Sequence, residues 1–167
     1  MYRVAILTAS DKGAAGLRED VSGAVAKEMM EQAGYQVIIQ KILPDEQMQL
    51  AETMRKICDE NLADLILTTG GTGFAPRDCT PEATLEIAQK QVPGLSEAMR
   101  AYSMQITPRA MLSRGVSVIR AQTLIVNLPG SPKGVKENLS CILPALRHGL
   151  DILTNHTREC ASQEEKA

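Results

Sequence analysis

The chain has 167 residues, 44% hydrophobic and 23% charged, which suits one globular domain with a substantial core. Net charge is −2, no basic run occurs, and the aromatic residues are Tyr2, Tyr35, Phe74 and Tyr102 alone, so a nucleic-acid reader built on a basic groove and stacking rings is not expected. No segment approaches the ~20 apolar residues of a spanning helix and the N-terminus lacks signal-peptide features, so no membrane contact and a cytoplasmic location are expected.

Residues 4–8 (VAILT) read as a first strand, and Ser10 and Asp11 lie in the polar loop that leaves it. A helix is expected from about Asp20, with Val21, Val25 and Met29 as its buried stripe and Gly34 as its terminator. Residues 35–42 read as a second strand. The loop Leu43-Pro44-Asp45-Glu46-Gln47 then leads to a helix whose apolar positions Leu50, Ala51, Met54, Ile57, Cys58 and Leu62 have helical period. Asp45 has two readings. It is placed to cap that helix, yet its loop also leaves the C-terminal end of a strand, the rim where open parallel sheets gather ligands.

The chain is organised around residues 64–83, DLILTTGGTGFAPRDCTPEA. Leu65 to Thr69 reads as a strand buried on both faces. Gly70, Gly71, Thr72 and Gly73 follow, and glycines at a strand end permit positive φ and let a ligand approach backbone N–H groups. Thr80 and Pro81 suit the N-cap and first position of a helix, with Glu82 at its positive end. Arg77 and Asp78 lie between, a cation for phosphate beside a carboxylate for a metal. The stretch points to a nucleotide or phosphate site. It fits neither the dinucleotide fingerprint, because Pro76 follows where a third glycine is needed, nor the P-loop, because no Gly-Lys-Ser/Thr occurs.

Helices are expected over residues 82–91 and 96–105, separated by Pro93-Gly94, with one further turn at 110–113. Residues 116–119 and 123–128 read as strands joined by a connection too short for a parallel crossover, hence an antiparallel hairpin. Gly130, Ser131 and Lys133 sit in the next loop. Ser131 suits the cap of the helix that follows, striped by Val135, Leu139, Ile142, Leu143, Leu146, Leu150 and Leu153. Lys133 in its first turn opposes the helix dipole unless an anion sits there. Pro144 is expected to kink or split this helix. One domain over residues 1–157 and a polar tail over 158–167 are expected.

Cys58, Cys79, Cys141 and Cys160 are scattered, and His148 and His156 have no neighbours at metal-ligand spacing, so free thiols and no zinc site are expected.

Thr69 to Gly73, residues 77–83 (RDCTPEA) and residues 128–133 (LPGSPK), in this order, resemble the molybdopterin-binding family of molybdenum-cofactor biosynthesis. The resemblance runs from about Arg3 to Leu153. Residues 43–47 and 113–116 (SRGV) look more like its adenylyltransferase branch than its MoaB branch. It implies a three-layer α/β/α sandwich with a mostly parallel sheet and one antiparallel strand, assembled as a homotrimer. It also implies transfer of AMP from ATP to molybdopterin with Mg²⁺, feeding a molybdate-inserting enzyme downstream. By the same resemblance Asp45 and Asp78 are the essential aspartates, Gly70 to Gly73 the phosphate loop, Gly130 to Lys133 a third ligand loop, and Ser10 and Asp11 a polar border. Related bacterial enzymes can carry an insertion near the last helix, whereas this chain runs directly through residues 142–146 (ILPAL).

A phosphate monoester has its second pKa near about 6, so such a nucleophile is already ionised and the task is to bring anions together. That calls for a metal on Asp45 and Asp78, N–H donors from Gly71 to Gly73, and Arg77 and Lys133 to balance charge. A binding-only module or scaffold of the same family is the alternative. An acidic pair argues for the enzyme, since an anion receptor gains nothing from carboxylates facing phosphate.

Overall fold

The computed structural model describes residues 1–154. The expected tail, His156 and Cys160 lie outside the described residues. Six strands form one sheet: β1 (Arg3–Ala9), β2 (Gln36–Leu43), β3 (Leu65–Thr69), β4 (Lys90–Gln91), β5 (Ser117–Arg120) and β6 (Thr123–Leu128), in the order β2-β1-β3-β6-β5-β4. Pairing is parallel from β2 through β6, while β5 is antiparallel to both neighbours. One strand therefore runs against the rest, as the hairpin required.

The helices are α1 (Asp11–Ala14), α2 (Val21–Gln32), α3 (Gln47–Asp59), α4 (Thr80–Glu86), α5 (Pro93–Met104) and α6 (Pro132–Leu153), with a 3-10 turn over Pro108–Leu112. Alternation along the strands sorts them onto two faces. Val4 and Ile6 of β1 and Leu65 and Leu67 of β3 pack with α2, α5 and α6; Ala5, Leu7 and Ile66 pack with α3 and α4. All five residues of β3 are buried, because both faces and both edges of that strand are covered. The chain crosses from β1 to β2 on one side and returns to β3 on the other. The crevice beyond the C-terminal ends of β1 and β3 is thus the topological switch point, where such sheets bind ligands.

Several local expectations are corrected. The helix expected to reach residue 91 ends at Glu86, and Lys90–Gln91 instead pair with β5 as a short edge strand. The buried face of α2 is Ser22, Gly23, Ala26 and Met30, one position on from the expected stripe, and Val21 is exposed. Small residues are required there because the start of α2 abuts the loop after β6, where the Ser22 hydroxyl donates to the Gly130 carbonyl at 2.7 Å. Pro144 does not split α6, which runs unbroken as a helix; the proline lies on the exposed side, and the face from Val135 to Leu150 holds the turns together.

Candidate active site

Four loops converge on the switch point. The loop after β1 brings Ser10 and Asp11, that after β2 brings Asp45, that after β3 brings Gly70 to Asp78, and that after β6 brings Gly130 and Ser131. Ser10, Asp45, Gly70 to Gly73, Asp78, Gly130 and Ser131 line one cavity of about 770 Å³. Sequence-distant residues singled out separately are therefore gathered at one rim.

The glycines are required by close approach. Gly71 has φ +63°, and a Cβ there would lie 2.3 Å from Thr80 Oγ1 and 3.2 Å from Asp45 Oδ1. A Cβ on Gly73 would lie 2.9 Å from Asp78 Oδ2. The two carboxylates thus flank the glycine backbone. Among the described residues, no acceptor meets the N–H groups of Gly71, Thr72 or Gly73, which leaves them available to an anion.

Thr80 fastens this loop. Its hydroxyl donates to the Gly70 carbonyl at 2.9 Å and its N–H to the Gly71 carbonyl at 3.1 Å. It is not the cap of α4: that position is Cys79, which makes no side-chain cap bond. Ser131 does cap α6, accepting from the Gly134 N–H, and Ser10 caps α1, accepting from that of Gly13.

Asp45 is not a helix cap either. The N-cap of α3 is Glu46, without a side-chain bond, and Asp45 Oδ2 accepts from the Asp11 N–H at 2.9 Å. In return the Asp45 N–H donates to Asp11 Oδ1 at 3.0 Å. Partial burial pushes the Asp45 carboxyl above its ordinary range, and the nearby charges of Asp11 and Asp78 push the same way. Asp78 Oδ2 accepts from the Ala75 N–H at 3.2 Å, closing a tight turn.

The two cations assigned to phosphate are engaged elsewhere. Arg77 makes two bonds to the Asp11 carboxylate, at 2.9 and 3.0 Å, and one to Glu46 at 2.9 Å. Those bonds raise the guanidinium's pKa, and the same bonds hold the Asp11 carboxyl below its usual range. Lys133 lies 3.8 Å from Glu137 and faces a second cavity.

That second cavity, about 400 Å³, is lined by apolar Met99, Ile106, Leu112 and Pro129 with Ser96, Asn127 and Asn138 among its polar groups. It meets the first at Thr72, Gly73 and Ser131, which line both. Two cavities joined across a glycine loop can hold two substrates with their reacting ends together.

Arg114 belongs to the stretch 113–116 that carries the branch resemblance, but its place in the site is not among the sequence expectations. Its guanidinium donates to the Gly73 carbonyl at 2.6 Å and the Asp78 carbonyl at 2.9 Å and pairs with Glu82, while its N–H donates to the Thr72 carbonyl. It therefore fixes the spacing between the glycine loop and Asp78. No local pattern announces this, because every partner is remote in sequence.

Among the described residues no cluster of three or more His, Cys, Asp or Glu side chains forms a metal cage. Two hard carboxylate oxygens beside free N–H groups instead fit Mg²⁺, which is commonly held by one or two carboxylates and substrate phosphates. No described helix is long and apolar enough to cross a membrane.

Residues 5–148 match the family described as probable molybdopterin binding domain. The chain is 40% identical over 152 residues to the molybdopterin adenylyltransferase of Helicobacter pylori, covering 90% of this chain and 86% of that one. It is 41% identical over 145 residues to the molybdopterin adenylyltransferase of Escherichia coli K12, covering 86% and 74%. Among solved structures, the molybdopterin biosynthesis enzyme MoaB of Thermus thermophilus superposes with a TM-score of 0.88 at 48% identity, covering 93% of this chain and 98% of that one.

Proposed function

This chain belongs to the molybdopterin-binding domain family, and from that premise we propose that it transfers AMP from ATP to the phosphate of molybdopterin with Mg²⁺ in molybdenum-cofactor biosynthesis. The observation that carries the reading is the pair Asp45 and Asp78 flanking a glycine loop on which two cavities meet. A phosphate oxygen of the pterin attacks the α-phosphorus of ATP, a new P–O–P linkage forms, the α–β linkage breaks, and pyrophosphate leaves. No general base is needed, because the attacking phosphate is already ionised at neutral pH.

The chain's own groups bind and orient. Gly71, Thr72 and Gly73 present N–H groups to phosphate oxygens, and Ser131 stands where the two cavities join. Asp45 and Asp78 would hold Mg²⁺, whose charge offsets the repulsion between two phosphorylated substrates. Arg114 holds Asp78 and Gly73 at fixed spacing, while Asp11 orients Asp45. A homotrimer, a cytoplasmic setting and a molybdate-inserting enzyme receiving the product complete the reading by family resemblance. Light scattering at the monomer mass would remove the trimer.

A binding-only scaffold is disfavoured by the same acidic pair. The test incubates purified protein with molybdopterin, labelled ATP and Mg²⁺ and looks for adenylylated pterin. Product is expected from the wild type and lost in Asp45→Asn and Asp78→Asn, with pterin affinity retained. Pterin binding by the wild type without Mg²⁺-dependent product would overturn the enzyme in favour of the scaffold.

A further inference from the structure

The larger cavity is lined by Glu19, Asp20, Asp45 and Asp78, and among the described residues Arg18 is its single cationic lining residue. That balance is unusual for a place meant to take phosphates. Arg77 is spent on Asp11 and Glu46, Lys133 faces the smaller cavity beside Glu137, and Arg114 is committed to the Gly73 and Asp78 carbonyls and Glu82. The helix starts around the cavity are also answered by their own side chains. Asp20 accepts from the Gly23 N–H, Ser10 from that of Gly13 and Ser131 from that of Gly134. Among the described residues, Arg18 is thus the uncommitted cation of the cavity.

Arg18 is exposed and makes no ion pair with any described residue. It sits in the loop between α1 and α2, which turns at Gly16 with φ +72° and with nothing within 4 Å of where a Cβ would be. Leu17 beside it is 79% exposed, so the loop stands clear of the core and its arginine has room to reach across the mouth.

Building on the nucleotide reading above, we propose that Arg18 binds the β- and γ-phosphates of the nucleoside triphosphate and stabilises the departing pyrophosphate. A planar guanidinium makes forked bonds to phosphate oxygens, and it needs no metal to do so. Charge builds on the leaving group as the α–β linkage breaks, so a cation there acts on the transition state as well as on binding. The carboxylates of Asp45 and Asp78 stand at the glycine loop, while Arg18 reaches the cavity from the separate loop between α1 and α2.

The experiment titrates inorganic pyrophosphate and AMP, each with Mg²⁺, into wild type, Arg18→Ala and Arg18→Lys by calorimetry, and measures the KM for ATP in the adenylylation assay. Arg18→Ala is expected to weaken pyrophosphate and raise the KM about tenfold, the loss of one charge-assisted contact, and to change AMP affinity less than about twofold. Arg18→Lys should recover part of the loss. Unchanged pyrophosphate affinity, equal weakening of AMP and pyrophosphate, or a wild type that does not bind pyrophosphate would each overturn the role. The two readings fail separately. Product formation by Arg18→Ala at the wild-type KM sinks Arg18 alone. A wild type that makes no product yet loses pyrophosphate affinity on substitution sinks the reaction and keeps Arg18.

Discussion

Asp11 and Asp45 exchange hydrogen bonds, each backbone N–H donating to the other's carboxylate, at 2.9 and 3.0 Å. Arg77 then binds the Asp11 carboxylate, so the neighbour of Asp78 in sequence is tied through Asp11 to Asp45. The loops after β1, β2 and β3 are locked as one frame around the two aspartates.

Arg77 is therefore a positioning residue, and its removal should look like misplacement rather than lost phosphate binding. Arg77→Ala is expected to lower kcat by about tenfold to a hundredfold, as small displacements of reacting groups do, with little change in the KM for ATP. Asp11→Asn breaks the same contact, so the double variant should be scarcely worse than either single one. A raised KM with unchanged kcat would return Arg77 to a phosphate-binding role.

Arg114 holds the glycine loop from behind. Arg114→Ala is expected to cost about a hundredfold in activity, by loosening Gly73 against Asp78. Arg114→Lys should rescue little, because an ammonium cannot reach three acceptors in a planar fork. Thermal unfolding measured alongside should show both variants folded; full activity in the lysine variant would show that charge alone suffices.

The pH dependence of stability should expose Asp45. Its folded-state pKa is raised, first by burial, so the stability it contributes is present below the unfolded value of about 3.9 and is lost as pH rises through the folded value. At neutral pH the ionised side chain works against the ion-free fold. Asp45→Asn keeps an acceptor for the Asp11 N–H and removes the charge. Its urea midpoint without Mg²⁺ should exceed the wild type's at pH 7 and lose that advantage as the pH falls to about 3.5, below the unfolded value. A lower midpoint at pH 7 would contradict the burial effect.

Gly71 and Gly94 offer a contrast. Gly71→Ala puts a methyl 2.3 Å from Thr80 Oγ1 at φ +63°, and should destabilise by about 2 kcal/mol or more and abolish activity. Gly94, in the first turn of α5, has open space where its Cβ would be, so Gly94→Ala should be neutral or slightly stabilising. Denaturant titration of both variants checks the pair.

Much of the sheet was legible because its strands carry apolar runs bounded by loops, as Leu65–Thr69 shows. The rim gathering Asp45, Asp78 and the glycines was legible because the strands' polarity was. What escaped was decided by remote partners. Lys90 and Gln91 are two exposed residues without pattern, and they become a strand only because β5 lies alongside. Asp45 and Thr80 have the chemistry of caps, but a neighbouring loop offered each a different bond. Arg77 looked free because Asp11 and Glu46 are far away in sequence.

Gly70 and Gly130 lie nearly in contact, a Cβ on Gly130 falling 3.2 Å from Gly70 Cα. That contact sits on the seam between two halves of the chain: β1, β2 and β3 come from residues before 70, β4, β5, β6 and α6 from residues after 89. Ser22 bonding Gly130 and Arg114 bonding Thr72 stitch the same seam. A ligand touching both Gly71 and Ser131 would clasp the halves to each other. Occupancy would then register as slowed amide hydrogen exchange along the β3–β6 pairing, with little change between β1 and β2. The binding pocket doubles as a latch on the halves that build it.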